Sequence, residues 1–219
     1  NEFEILSVIN YGKTSKIYKL KEKETKLIFQ GQISMNKIDL SLSDDIQKLT
    51  QLIAMIKNFK HQSLLKFIGY SPTDFKMKNR PVIVTEFPSN RSLFDLFEIV
   101  RTNEEIKDWN STKKLMNIYG IASALSYLHS KGIIHRSLSP ETVYLDDFFM
   151  PKIGDFGLST FIDNSKTITY QSIAQSKSDF IYLAPEVISK KQFSKSSDVY
   201  AFAMIVFEIV TGEIPFDDI

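Results

Sequence analysis

The side chains equipped for chemistry concentrate in one part of this sequence. His135-Arg136-Ser137-Leu138-Ser139-Pro140-Glu141-Thr142 is followed by Asp155-Phe156-Gly157, then Ala184-Pro185-Glu186, then Asp198-Val199-Tyr200-Ala201-Phe202. What these types offer is the chemistry of carboxylates, hydroxyls and an arginine. The chain has no cysteine, and its only histidines are His61, His129 and His135. That excludes thiol catalysis, zinc fingers and disulfide frameworks, and it fits a reducing compartment. Charge leaves no footprint for nucleic acid, because 27 Lys+Arg stand against 26 Asp+Glu for a net charge of +1. The densest lysine stretch, Lys16, Lys19, Lys21, Lys23 and Lys26, is interrupted by Glu22 and Glu24 and reads as a solvated hairpin.

The elements that must position these residues follow from periodicity. With 219 residues, 43% of them hydrophobic, the chain can bury about 70% of its unfolded surface without staples. The longest uncharged apolar run, Val199 to Phe207, stops at Glu208, well short of the roughly 20 residues a membrane span needs. The N-terminus lacks a signal-peptide pattern, and a start without Met reads as a fragment. Strands are expected around Phe3, Ile5 and Val8, around Ile17, Tyr18 and Leu20, and over Leu27 to Ile38. A helix follows, with Ser43 and Asp44 as caps and Leu49, Leu52, Ile53, Ile56 and Phe59 on one face. Strands return at Leu64 to Tyr70 and Pro81 to Phe87. A helix over Thr112 to Ser130 presents Leu115, Ile118, Ala122, Leu125 and Leu128 on one face and ends at Gly132. Short strands are expected at Thr142 to Leu145 and Pro151 to Ile153, and a last helix at Ser197 to Thr211. Strands first and helices second predict an α+β architecture in two lobes joined near Pro88 to Arg91.

The four chemical segments resemble, in order and at suitable spacings, the catalytic loop, magnesium loop, activation-segment end and central helix of the eukaryotic protein kinase fold. Thr85-Glu86-Phe87 is similar to that family's gatekeeper and hinge. The hinge, His61 to Tyr70 and Tyr182 to Glu186 look most like the tyrosine-kinase-like serine/threonine group. The resemblance implies a single bilobal kinase-like domain: a β-rich N-lobe with one helix (1–84), a hinge (85–91) and a mainly helical C-lobe lacking its last helices (92–219).

Phosphoryl transfer requires a base for the substrate hydroxyl, metal ligands, and a lysine held on the phosphates by a helix glutamate. Where the family has its catalytic Asp this chain has Ser137, a hydroxyl too weakly basic at neutral pH. General-base help is worth about 10²- to 10⁴-fold. Ser139 replaces a Lys, and Thr142 replaces the Asn that holds a second magnesium, leaving Asp155 as the recognisable metal ligand. Asn36 stands where the phosphate-binding Lys belongs, with Lys37 beside it on the opposite strand face unless a bulge shifts the register. Leu52 takes the place of the helix Glu, and of three loop glycines only Gly12 survives, with Asn10 and Ser15 at the other two places. In the adenine pocket, Pro88 has no N–H to donate, although the Glu86 carbonyl remains as an acceptor. Tyr144 replaces an aliphatic floor residue and Ser34 a small apolar roof residue.

The positions the family uses for architecture are mostly kept. Ile56, Phe67, His135 and Phe156 match its stacked inter-lobe side chains, and Asp198 matches the buried carboxylate under the catalytic loop. Arg136 matches the arginine that pairs with a phosphorylated activation segment, for which Thr167, Thr169 and Tyr170 are the candidate acceptors. Asp179 stands where the family has a Thr and is a candidate substitute base. Glu186 is expected to lack its arginine partner, and residues 1–219 alone are expected to be unstable. The implied function is a pseudokinase serving as a cytoplasmic signalling interaction module or allosteric switch, with protein partners, an active kinase among the candidates. The alternatives are an active serine/threonine kinase using Lys37, Asp155 and Asp179, and a product without function of its own. No cofactor is firmly implied; ATP and Mg²⁺ enter only if nucleotide binding persists.

Overall fold

The computed structural model describes residues 2–11, 15–34, 43–102, 104–155 and 180–216. These fall into two compact units. One takes the described residues up to 60 together with 65–87; the other takes 61–64 and those from 88 onward.

The first unit is an antiparallel five-stranded sheet in the order β1-β2-β3-β5-β4, with one helix. Its strands are β1 (Phe3–Tyr11), β2 (Ser15–Glu22), β3 (Ile28–Ser34), β4 (Phe67–Ser71) and β5 (Val82–Glu86). A tight hairpin joins β2 to β3, closed by the Glu22 amide donating to the Leu27 carbonyl at 2.9 Å. Pairing of Leu20 with Phe29, Gly31 with Val84 and Ile33 with Val82 gathers Leu20, Ile33, Val82 and Val84 into the core of one sheet face. Phe3, Tyr18, Phe29 and Phe75 pack against it. Gly31 leaves room there for Leu20, since a Cβ would sit 2.5 Å from Leu20 Cδ1 and that side chain would have to shift. The helix α1 (Ser43–Ile56) buries Leu49, Leu52, Ile53 and Ile56 of the expected face; it ends before Phe59, and Ser43 and Asp44, expected as caps, fall within its first turn.

One strand expectation is corrected here. The run Leu64 to Tyr70 divides: only Phe67–Ser71 joins the sheet, whereas Leu64 bridges Ile153 in the second unit. Of the strand expected over Leu27 to Ile38, Ile28–Ser34 is present and 35–38 lie outside the described residues.

The second unit is mainly helical. Its elements are α2 (Leu93–Arg101), α3 (Ser111–Ser130), a 3-10 turn (Pro140–Thr142), the hairpin β6 (Val143–Leu145) and β7 (Pro151–Ile153), α4 (Pro185–Lys190) and α5 (Lys195–Thr211). Helix α2 starts in a capping box: Ser92 Oγ accepts the Asp95 amide and the Asp95 carboxylate accepts the Ser92 amide. Helix α3 is capped by Asn110, whose side chain accepts the Lys113 amide at 3.1 Å.

The buried face of α3 differs from the expected one. It runs Asn117, Gly120, Ile121, Ala124, Leu125 and Leu128, while Leu115 is 66% exposed. Two non-apolar residues turn the helix. Asn117 is fully buried because its amide donates to the Lys113 and Phe149 carbonyls, and Gly120 admits Pro151 so closely that a Cβ would lie 2.5 Å from Pro151 Cγ. Helix α5 starts two residues before expectation, capped by Ser194, and ends at Gly212, whose φ of 81° needs no Cβ. Although apolar around its circumference, α5 buries Ala201, Ile205, Glu208 and Ile209, and leaves Val199, Phe207 and Val210 exposed. Among the described residues no helix is long and apolar enough to cross a membrane.

Candidate functional site

The site is built on α5. In its first turn Asp198 is buried, and its two oxygens accept three donors. Oδ2 accepts the His135 amide at 2.8 Å and pairs with His129 Nε2 at 2.8 Å; Oδ1 accepts the Arg136 amide at 2.9 Å. Those bonds hold Arg136 in the left-handed region at φ 69°, a conformation costing about 1–2 kcal/mol for an L residue. The His135 ring is wholly buried and donates from Nε2 to the Gly154 carbonyl at 2.9 Å. Burial pushes its pKa below the ordinary imidazole value, opposed by the charge of Asp198 and by the Gly154 bond. Gly154 in turn donates its amide to the Thr142 carbonyl at 2.9 Å, fixing the residue before Asp155, which also has a left-handed φ of 60°.

Within this frame the side chains at the chemical positions face elsewhere. Ser137 is exposed to solvent and Ser139 is half-buried. Thr142 is buried, and its hydroxyl lies 3.0 Å from the Ser139 carbonyl, 3.2 Å from the Ser137 carbonyl and 3.1 Å from the Ser139 amide. The magnesium implied by the resemblance demands a near-octahedral shell of oxygens. With the Thr142 hydroxyl turned onto its own loop, Asp155 is the single carboxylate left of the expected ligand set. The residues present do not fit the ion, and among the described residues no group of three or more His, Asp or Glu could hold a metal.

Arg136 sets its guanidinium 5.9 Å from the Phe193 ring centre, a cation–π distance. Glu86 is committed to its sheet: its amide donates to the Lys66 carbonyl at 2.9 Å and its carboxylate accepts the Lys66 amide at 3.1 Å. Pro88 and Tyr144 are buried, and Tyr144 also bridges Ser92. Leu52 and Ile56 lie on the apolar face of α1 and Phe67 is half-buried in β4. Glu186, in the first turn of α4, is half-buried with no ion-pair partner among the described residues. Gly12, Asn36, Lys37, Phe156, Thr167, Thr169, Tyr170 and Asp179 lie outside the described residues, so their expected roles receive no geometry.

Sequence reasoning missed a second polar cluster. Glu208 on α5 is buried; it accepts from the Tyr182 hydroxyl and pairs with Arg101 Nη2 at 2.5 Å. Arg101 also reaches Glu98 at 2.8 Å and the Gly212 carbonyl at 3.3 Å. Burial pushes the Glu208 carboxyl and the Tyr182 phenol upward, and the bonds from Tyr182 and Arg101 oppose this at Glu208. The available signal was the charge that interrupts the apolar run of α5.

Comparison with known proteins gives a consistent picture. A family model described as protein kinase domain matches residues 3–219. The chain is 27% identical over 235 residues to a protein kinase and PP2C-like domain-containing protein of Arabidopsis thaliana, covering 100% of this chain and 33% of that protein. It is 33% identical over 190 residues to cysteine-rich receptor-like protein kinase 10 of Oryza sativa subsp. japonica, covering 84% and 28%. It is 27% identical over 222 residues to an Aurora kinase of Dictyostelium discoideum, covering 99% and 52%. The chain thus spans about a quarter to a half of the curated relatives it matches.

Proposed function

The chain belongs to the protein kinase domain family, and on that premise we propose that it is a catalytically impaired member, a pseudokinase that works as a signalling interaction module or allosteric switch. One observation carries the reading: the loop from His135 to Thr142 keeps its buried supports while Ser137 and Thr142 occupy the positions of the base and the second metal ligand. An exposed serine hydroxyl is too weak a base for the proton of a substrate alcohol. The Thr142 oxygen is bonded to its own loop. Placement in the tyrosine-kinase-like group, a cytoplasmic location, and protein partners that include an active kinase belong to the same proposal.

Thermal unfolding of the full chain with and without ATP and Mg²⁺ tests it, alongside a radiolabel phosphotransfer assay. A nucleotide at 100 times its dissociation constant adds about 2.7 kcal/mol, which raises Tm by roughly 5–10 °C for a chain of this size. The expected results are an unchanged Tm and no transfer above background. A Mg²⁺-dependent rise accompanied by transfer would establish instead an active kinase of atypical arrangement.

A further inference from the structure

We propose that Thr142 is a positioning residue that closes the 137–142 loop on itself, so that the loop keeps one conformation whether or not nucleotide and Mg²⁺ are present. The inference rests on the reading above and adds to it that the kinase-like loop is displayed permanently rather than gated by a ligand.

A threonine hydroxyl has one proton to donate and two lone pairs. In Thr142 the proton goes to the Ser139 carbonyl at 3.0 Å, with the Ser137 carbonyl at 3.2 Å as the neighbouring acceptor, and a lone pair takes the Ser139 amide at 3.1 Å. The backbone repeats the closure, because the Thr142 amide donates to the Ser139 carbonyl at 3.0 Å. The same residue's carbonyl receives the Gly154 amide, the Gly154 carbonyl receives His135 Nε2, and the His135 and Arg136 amides end on Asp198. A continuous circuit therefore runs from α5 through His135, Gly154 and Thr142 back to Ser139 and Ser137. Its links are backbone groups and the side chains of Asp198, His135 and Thr142. With the hydroxyl buried and doubly engaged, a hydrated metal ion would have to break the closure before using that oxygen, whereas the loop needs no ion to hold its shape.

Amide hydrogen exchange of the full chain, resolved to Ser139, Thr142 and Gly154, tests the proposal with ATP and MgCl₂ as the added probes. In the wild type the exchange of all three amides is expected to be the same with and without the probes, a comparison that needs no variant. Thr142→Val removes the hydroxyl at nearly constant volume and is expected to speed exchange at Ser139 by about five- to tenfold, the equivalent of one hydrogen bond. The His135 and Arg136 amides, held by Asp198, are expected to stay as slow as before, and Thr142→Ser is expected to restore Ser139. Protection that rises when ATP and Mg²⁺ are added, or a Val variant that exchanges at Ser139 like the wild type, overturns the proposal. If the loop ignores the probes and phosphotransfer is nevertheless measured, the functional reading fails and this inference stands; protection that rises without phosphotransfer is the reverse case.

Discussion

Asp198 gathers three donors on two oxygens out of contact with water, and the loop above it depends on that one carboxylate. Asp198→Asn keeps the volume but aims an N–H₂ at groups that themselves donate. The expected cost is about 3 kcal/mol, read as a fall of roughly 10 °C in Tm. Two histidines set a pH dependence. The Ser63 amide donates to His61 Nδ1 at 3.1 Å, so Nε2 carries the proton and donates to Ser123 Oγ at 3.0 Å. Burial lowers the pKa of His61 and of His135 from 6.5. Between each depressed value and 6.5 the unfolded chain binds the extra proton. Their contribution is therefore complete above about pH 6.5 and is lost as pH falls through the folded values. Tm is expected to decline from pH 7 to pH 5, and less steeply in His61→Asn. At this scale the identities of Ser137, Thr142 and Asp198 were legible in the sequence, because motif order places them. That Thr142 spends its hydroxyl on its own loop was not, since spacing fixes a position and says nothing of a rotamer.

At the scale of elements, long helices with plain caps were legible and subtler ones were not. Ser92 and Asp95 stand at capping-box spacing, and the apolar pairs Leu93-Phe94, Leu96-Phe97 and Ile99-Val100 recur at helical steps, so α2 carried a signal that the reading passed over because the helix is only 9 residues long. The face of α3 was misjudged because a buried Asn117 and a Gly120 direct it, and a count of apolar residues passes over both. Gly120→Ala brings a methyl against Pro151 Cγ at 2.5 Å and Ser63 Oγ at 2.9 Å. Pro151 is a rigid ring, so the substitution is expected to destabilise by about 1–3 kcal/mol in chemical denaturation. The tie between α5 and α2 through Glu208 and Arg101 gives another expectation. Tyr182→Phe leaves one oxygen of a buried carboxylate without its donor and should cost about 1.5–3 kcal/mol. Glu208→Gln should cost more, because the Arg101 guanidinium then loses its buried counter-charge and keeps only the solvent-exposed Glu98.

For the whole molecule, strand patterns first and helical patterns second announced an α+β chain with a sheet-rich first part, and the sheet and helices follow that order. What order in sequence cannot reveal is where the chain passes from one unit to the other. Residues 61–64, flanked on both sides by the first unit, belong to the second. His61 bonds Ser123, the Ser63 carbonyl accepts the Ile153 amide at 2.9 Å, and Leu64 pairs with Ile153. Division at residue 88 therefore does not yield two self-sufficient pieces. A fragment ending at residue 87 would carry off four residues that the helical unit uses as its own, and a fragment beginning at 88 would start with the Ile153 amide and the Ser123 hydroxyl facing an empty place. Co-expression of the two halves would have to rebuild that stitch in trans before the helical half could close its core.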